Sequence, residues 1–267
     1  MSELFDRVVC GVDQSAAGEV AARLAARVTA PDGVLTLATV ADPALALHAG
    51  WAGTALAEEL RHDAERALAR GAAEAAPAHA AETLLLDGDP VDALLEELRL
   101  VDATLAVVGT HGLARAVGLA LGSVATRLLH EAPCSVLVAR EPHGERWPRS
   151  IVVGVDGSAE SAAALAVARE LAERFDATLR PVVAAGESDV DLVEAFRATP
   201  DLEKLHDKAV AELCALSADT DLLVLGSRGL KGLRALGSIS ERVAHGARCP
   251  VLVVRPNRFE SQEEEPR

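Results

Sequence analysis

The chain has 267 residues, enough for one large domain or two small ones at a prior of about 150 residues each. Half of the residues are hydrophobic, a quarter charged and only 2% aromatic, which excludes a disordered or disulfide-scaffold protein and leaves Ala, Leu and Val to build any core. With 26 Lys and Arg against 41 Asp and Glu the formal charge is −15, so a nucleic-acid partner, whose affinity would rest on a basic surface, is not expected.

In chain order, short β-branched runs alternate with Ala/Leu-rich amphipathic stretches. Strands are expected at 7–12, 34–40, 82–86, 104–108 and 135–139, with helices at 15–29, 52–75, 90–99 and 123–131 between them. Trp51 is expected to pack the long helix against the sheet. The second half opens with strands near 150–155 and 178–183 and continues through a helix within 206–219, the strand LLVLG and a last strand at 250–254. This alternation argues for βαβ units and a parallel sheet covered on both faces, with ligands at its carboxyl edge.

The halves are copies. RVVCGVDQS at the start matches SIVVGVDGS, with Asp13 and Asp156 offset by 143, while Gly109 and Gly226 are offset by 117. GSVATRLLHEAPCSVLVAR (122–140) matches GSISERVAHGARCPVLVVR (237–255) at an offset of 115, with ten of 19 positions identical. The falling offsets show that the second copy lacks 26 residues in its middle and two within the glycine loop. The organisation expected is therefore a first domain at 1–140, a linker at 141–149, a shortened second domain at 150–256 and an acidic, disordered tail at 257–267.

Cys10, Cys134, Cys214 and Cys249 form no CxxC pair and read as small hydrophobes suited to a reducing cytoplasm. The start lacks the basic-then-apolar pattern of a signal peptide, and no run approaches the roughly 20 apolar residues that cross a bilayer. Eight histidines show no metal-ligand spacing, and His130 and His245 occupy equivalent helix ends.

The chemistry-bearing stretch is GTHGLARAVGLALGS. Gly109 and Gly112 follow a strand, and Gly122 with Ser123 opens a helix whose hydroxyl can cap and whose free N–H groups and dipole favour an anion. A single His, His111, lies in this loop and reads as exposed surface or a phosphate contact. The second copy keeps Gly226, Gly229, Gly237 and Ser238 in a loop two residues shorter that also holds Arg228, Lys231 and Arg234. Asp13 and Asp156 each end a first strand before a Ser. There a carboxylate can accept ribose hydroxyls or a base amine, or equally serve an Asx-turn or N-cap.

These motifs together resemble the tandem universal stress proteins. The resemblance implies an adenine nucleotide α-hydrolase-like α/β fold, two doubly wound parallel-sheet domains of order 3-2-1-4-5, with ATP, with or without Mg2+, in the glycine loop. Carried over, Asp13 and Val40 would lie at the base and ribose, and Val108, Gly109, Gly112, Gly122, Ser123 and Val124 around ribose and phosphates. Asp156, Val183, Leu225, Gly226, Gly229, Gly237, Ser238 and Ile239 correspond in the second copy. It also implies that strands 135–139 and 250–254 pair within the chain, with a homodimer as a further step, and that no catalytic reaction is defined. The function expected is that of a cytoplasmic, ATP-binding stress or regulatory protein with ATP mainly in the first domain. A slow ATPase and a nucleotide-independent interaction module are the alternatives.

Overall fold

Five segments of the first copy form strands, and those inside the sheet are Val- and Leu-rich because both of their faces are covered. In the computed structural model, which describes residues 4–41, 53–112, 121–144, 146–184, 201–205, 208–227 and 239–256, these are β1 (Arg7–Gly11), β2 (Val34–Ala41), β3 (Ala81–Asp87), β4 (Leu105–Gly109) and β5 (Ser135–Ala139). The helices between them are α1 (Ala16–Val28), α2 (Gly53–Ala75), α3 (Pro90–Leu100) and α4 (Ser123–Glu131). In the second copy, β6 (Ser150–Gly154), α5 (Ala159–Phe175), β7 (Thr178–Ala184), β8 (Glu203–Leu205), α6 (Ala209–Leu216), β9 (Leu222–Gly226), α7 (Ile239–Gly246) and β10 (Val251–Val254) follow. The chain divides into two compact units, Met1–Arg140 and Glu141–Arg267. Trp51, the basic loop residues Arg228, Lys231 and Arg234, and the tail 257–267 lie outside the described residues.

Within the first unit the strands run parallel in the order β3-β2-β1-β4-β5, with Val8 level with both Leu35 and Leu105. Strand order therefore reverses beside β1. Helices α1 and α2 cover one face: a Cβ built on Gly71 of α2 would lie 3.3 Å from Leu37 and 3.6 Å from Ala22. Helix α3 covers the opposite face, where a Cβ on Gly11 would lie 3.2 Å from Leu94. Small residues are what permit these layers to close up. The largest fully buried side chains are Leu24, Leu35, Leu37, Leu98, Leu105, Leu128 and Leu137, an aliphatic core that matches the shortage of aromatic residues.

The second unit repeats the arrangement as β8-β7-β6-β9-β10, again parallel, around Ile151, Leu171, Leu222, Leu223 and Leu252. Its third strand is reduced to three residues, held beside β7 by Val182, Val183 and Ala184 and by a two-pronged pair of Arg180 with Glu203 at 2.6 Å. One position shows how the copies diverged. Thr104 in the first unit accepts from the Arg7 N–H at 3.1 Å, whereas its counterpart Asp221 accepts from the N–H groups of both Arg149 and Ser150, at 2.8 and 3.1 Å. The Trp147 indole donates to the Asp221 carbonyl at 2.7 Å, with its ring only 3% exposed. The stretch expected as a linker thus carries a buried anchor belonging to the second unit.

Candidate functional site

Ligands of open parallel sheets lie outside the strand carboxyl ends where the order reverses, here the crevice between β1 and β4. The loop after β1 reads Asp13-Gln14-Ser15. Asp13 Oδ1 accepts from the Ser15 N–H at 3.0 Å and from the Ser15 hydroxyl, and Ser15 Oγ in turn accepts from the Gly18 N–H at 3.1 Å, capping α1. This is an Asx-turn running into an N-cap. Of the two structural roles that the spacing allowed, Asp13 takes the Asx-turn through one oxygen, and the N-cap falls to Ser15.

The other oxygen meets the glycine loop. A Cβ on Gly112 would lie 2.7 Å from Asp13 Oδ2, and a Cβ on Gly109 would lie 2.8 Å from the backbone of Ala17 at the start of α1. The Ser15 hydroxyl also lies 3.3 Å from the His111 carbonyl. Glycine is therefore required where the loops converge: any side chain would displace the carboxylate or the helix. The Gly122 N–H donates to the Thr110 carbonyl at 2.7 Å, bringing the two ends of the loop together.

Ser123 does not cap α4. Gly122 is the N-cap, with extended backbone and no side-chain hydrogen bond, and Ser123 is the first helical residue, exposed. A hydroxyl inside the first turn cannot fold back as an N-cap does. The N–H groups of Ser123, Val124 and Ala125 consequently have no acceptor within the helix, and the helix dipole adds partial positive charge there. Val108 is buried on β4, Val124 is half-buried, and Val40 stands half-buried near the carboxyl end of β2.

Two polar atoms on the loops that flank this crevice are missing partners among the described residues. Gln14 Nε2 and His111 Nε2 are buried and find no hydrogen-bond partner among the described residues. They extend from the loops after β1 and β4, the two strands that flank the reversal. Sequence patterning read His111 as exposed surface or a phosphate contact and passed over Gln14, since an amide beside an Asp has no spacing signature.

In the second unit the Asx-turn and cap recur. Asp156 accepts from the Ser158 N–H at 3.0 Å and from its hydroxyl, and Ser158 caps α5 through the Ser161 N–H at 3.2 Å. Gly226 approaches α5 as Gly109 approaches α1, with a Cβ position 2.5 Å from the Glu160 carbonyl. Val183 and Leu225 are buried, and Ile239, 41% exposed, opens α7. Gly229, Gly237 and Ser238 lie outside the described residues.

Each unit is thus a doubly wound α/β domain whose carboxyl edge is shaped by an Asp-x-Ser turn and a glycine approach. The sequence profile of the universal stress protein family matches residues 4–140 and 201–255. A universal stress protein of Mycobacterium tuberculosis H37Rv is 30% identical, the alignment covering 93% of this chain and 96% of that one. One from Mycolicibacterium smegmatis is also 30% identical, covering 93% and 97%. Among solved structures, a universal stress protein from Archaeoglobus fulgidus shares the fold at a TM-score of 0.75 and 18% identity, covering 96% and 98%. The chain belongs to the universal stress protein family.

Proposed function

We propose that the protein binds an adenine nucleotide, ATP, at the carboxyl edge of its first unit and acts in the cytoplasm as a nucleotide-responsive stress or regulatory protein. The observation that carries this reading is the approach of Gly112 to Asp13 Oδ2 at the strand-order reversal, with the buried, unpartnered nitrogens of Gln14 and His111 on the two loops that flank it. A phosphate on the first turn of α4 takes the N–H groups of Ser123, Val124 and Ala125, and Gly109 and Gly112 let the chain run close beneath it. Asp13 then meets the ribose or base, flanked by Val40 and Val108, while Mg2+, where present, arrives with the phosphates. Adenine rather than guanine rests on kinship with the family.

In the second unit, Asp156, Gly226, Gly229, Gly237 and Ser238 form the corresponding set, with a shorter loop. Pairing of strands 135–139 and 250–254, and a homodimer beyond it, belong to the same reading. Nucleotide occupancy regulates only by favouring one conformation or partner surface over another.

The test is to denature freshly purified protein, quantify released nucleotide by chromatography, and titrate the emptied, refolded protein with ATP by calorimetry. About one ATP per chain is expected, rising to two if both units fill. No released nucleotide together with no heat from the parent would overturn the proposal.

A further inference from the structure

At the opposite, amino edge of the first unit's sheet lies a second feature. A cavity of about 300 Å3 opens between α3 and the starts of β1, β2 and β3, lined by Arg7, Val9, Val34, Thr36, Glu82 and Glu97 among others. The strand residues belong to the face that α3 covers: Val9, Thr36 and Glu82 stand level across the three strands. Helix α3 leaves part of this face open, as Val34 shows at 47% exposed.

Glu97 is out of place for a structural residue. It lies on the sheet-facing stripe of α3 with Val91, Leu94, Leu95 and Leu98, and is only 9% exposed. So little access to water favours a paired carboxylate over a lone one. Yet no hydrogen bond or ion pair holds it among the described residues. Arg7, the cation of this cavity, is otherwise engaged, with its guanidinium on Asp6 at 2.9 Å and on the Asp102 carbonyl at 2.8 Å. With Arg7 balanced by Asp6, the two glutamates leave an excess of negative charge over an apolar floor of Val9, Val34, Leu84 and Val101.

We propose that this cavity is a binding site for a small organic cation, a protonated primary alkylamine. Its ammonium would pair with Glu97, its remaining hydrogens would reach Glu82 or Thr36, and its alkyl body would cover the valines. A hard metal ion is a poorer match, because it demands several oxygen ligands where this cavity offers hydrocarbon. The site is independent of the nucleotide proposal, standing at the other end of the strands.

The experiment is an amide NMR titration of the full chain with n-butylammonium chloride, and with 1-butanol as the neutral counterpart. Saturable shifts at Val34, Thr36 and Glu82 through Leu84 are expected, with affinity on the order of millimolar for so small a ligand. Glu97→Gln should weaken binding about tenfold or more, the loss of one charge-assisted hydrogen bond. Equal shifts with 1-butanol, equal affinity in Glu97→Gln, or no saturation by the parent would each overturn the site. Thermal denaturation of ligand-free Glu97→Leu supplies a second readout. A raised midpoint is expected from removing an unpaired buried carboxylate, and a lowered one would show that partners within the protein already hold it.

Discussion

Asp13 divides its oxygens between the turn into α1 and the glycine loop. Oδ1 is bound by the Ser15 N–H and hydroxyl, and Oδ2 faces Gly112. Asp13→Asn retains an acceptor for the turn, so urea denaturation should register a change within about 0.5 kcal/mol, as for a substitution that spares the structural contacts. ATP titration of the same variant should lose about tenfold or more in affinity. Ser15→Ala removes the cap of α1 and should cost about 1 kcal/mol of stability, measured the same way. Asp221 offers a contrast, since its buried carboxylate serves two backbone N–H groups. Asp221→Ala strands both and should destabilise by about 2–4 kcal/mol, with Trp147 fluorescence reporting the loss. Burial pushes the Cys10 thiol well above its ordinary range. The folded protein keeps that proton while the unfolded chain releases it above about pH 8.5, so stability falls as pH rises past that point. In Cys10→Ala this part of the decline, read from urea midpoints at successive pH values, should disappear. At this scale the Asp-x-Ser turn was legible from spacing alone. The burial of Gln14 and His111 was not, because it depends on two loops that are remote in sequence.

Elements were placed closely by hydrophobic period and punctuation. The strand at 135–139 and the helix at 123–131 coincide with β5 and α4, and the other first-unit boundaries shift by about one residue, since fraying and capping leave the ends locally underdetermined. Capping chemistry was harder to assign. A Gly-Ser pair before a helix reads as a Ser cap, but the backbone turns helical one residue later, at Ser123, which frees the first-turn N–H groups. The expected helix within 206–219 spans only Ala209–Leu216, preceded by Lys208 without a side-chain cap. Arg127 of α4 reaches Asp92 of α3 and, within its own helix, Glu131, each at 3.0 Å, and its guanidinium holds the Glu131 carboxyl below the usual range. These groups are exposed, so the pairs orient the helices more than they stabilise them. The same holds for Arg180 and Glu203, each about half exposed. Arg180→Ala should lower stability by less than about 1 kcal/mol, and 1 M salt should abolish the difference, which denaturant melts of the pair will show.

For the molecule as a whole, the repeat offsets and the strand–helix alternation established a duplicated, doubly wound parallel sheet before any coordinate, because a parallel connection needs a crossover helix and a βαβ unit cannot hide its period. If ATP sits mainly in the first unit, calorimetric unfolding should show stabilisation by about 2.7 kcal/mol at a hundredfold excess over the dissociation constant, absent in Asp13→Asn. The net charge of −15 bears on the proposed site: in an acidic chain a phosphate is well served by backbone N–H groups at a helix end, and the first turn of α4 presents such groups. What sequence determined by itself was the family, the copy number, the element order and the residues able to turn or approach closely, all of them properties of local pattern. Tertiary structure alone decided that Gly112 abuts Asp13, that Trp147 and Asp221 anchor the start of the second unit, and that Glu97 lines a cavity without a partner. Those facts arise from strand register and helix placement between segments tens of residues apart, and no local pattern of side chains encodes them.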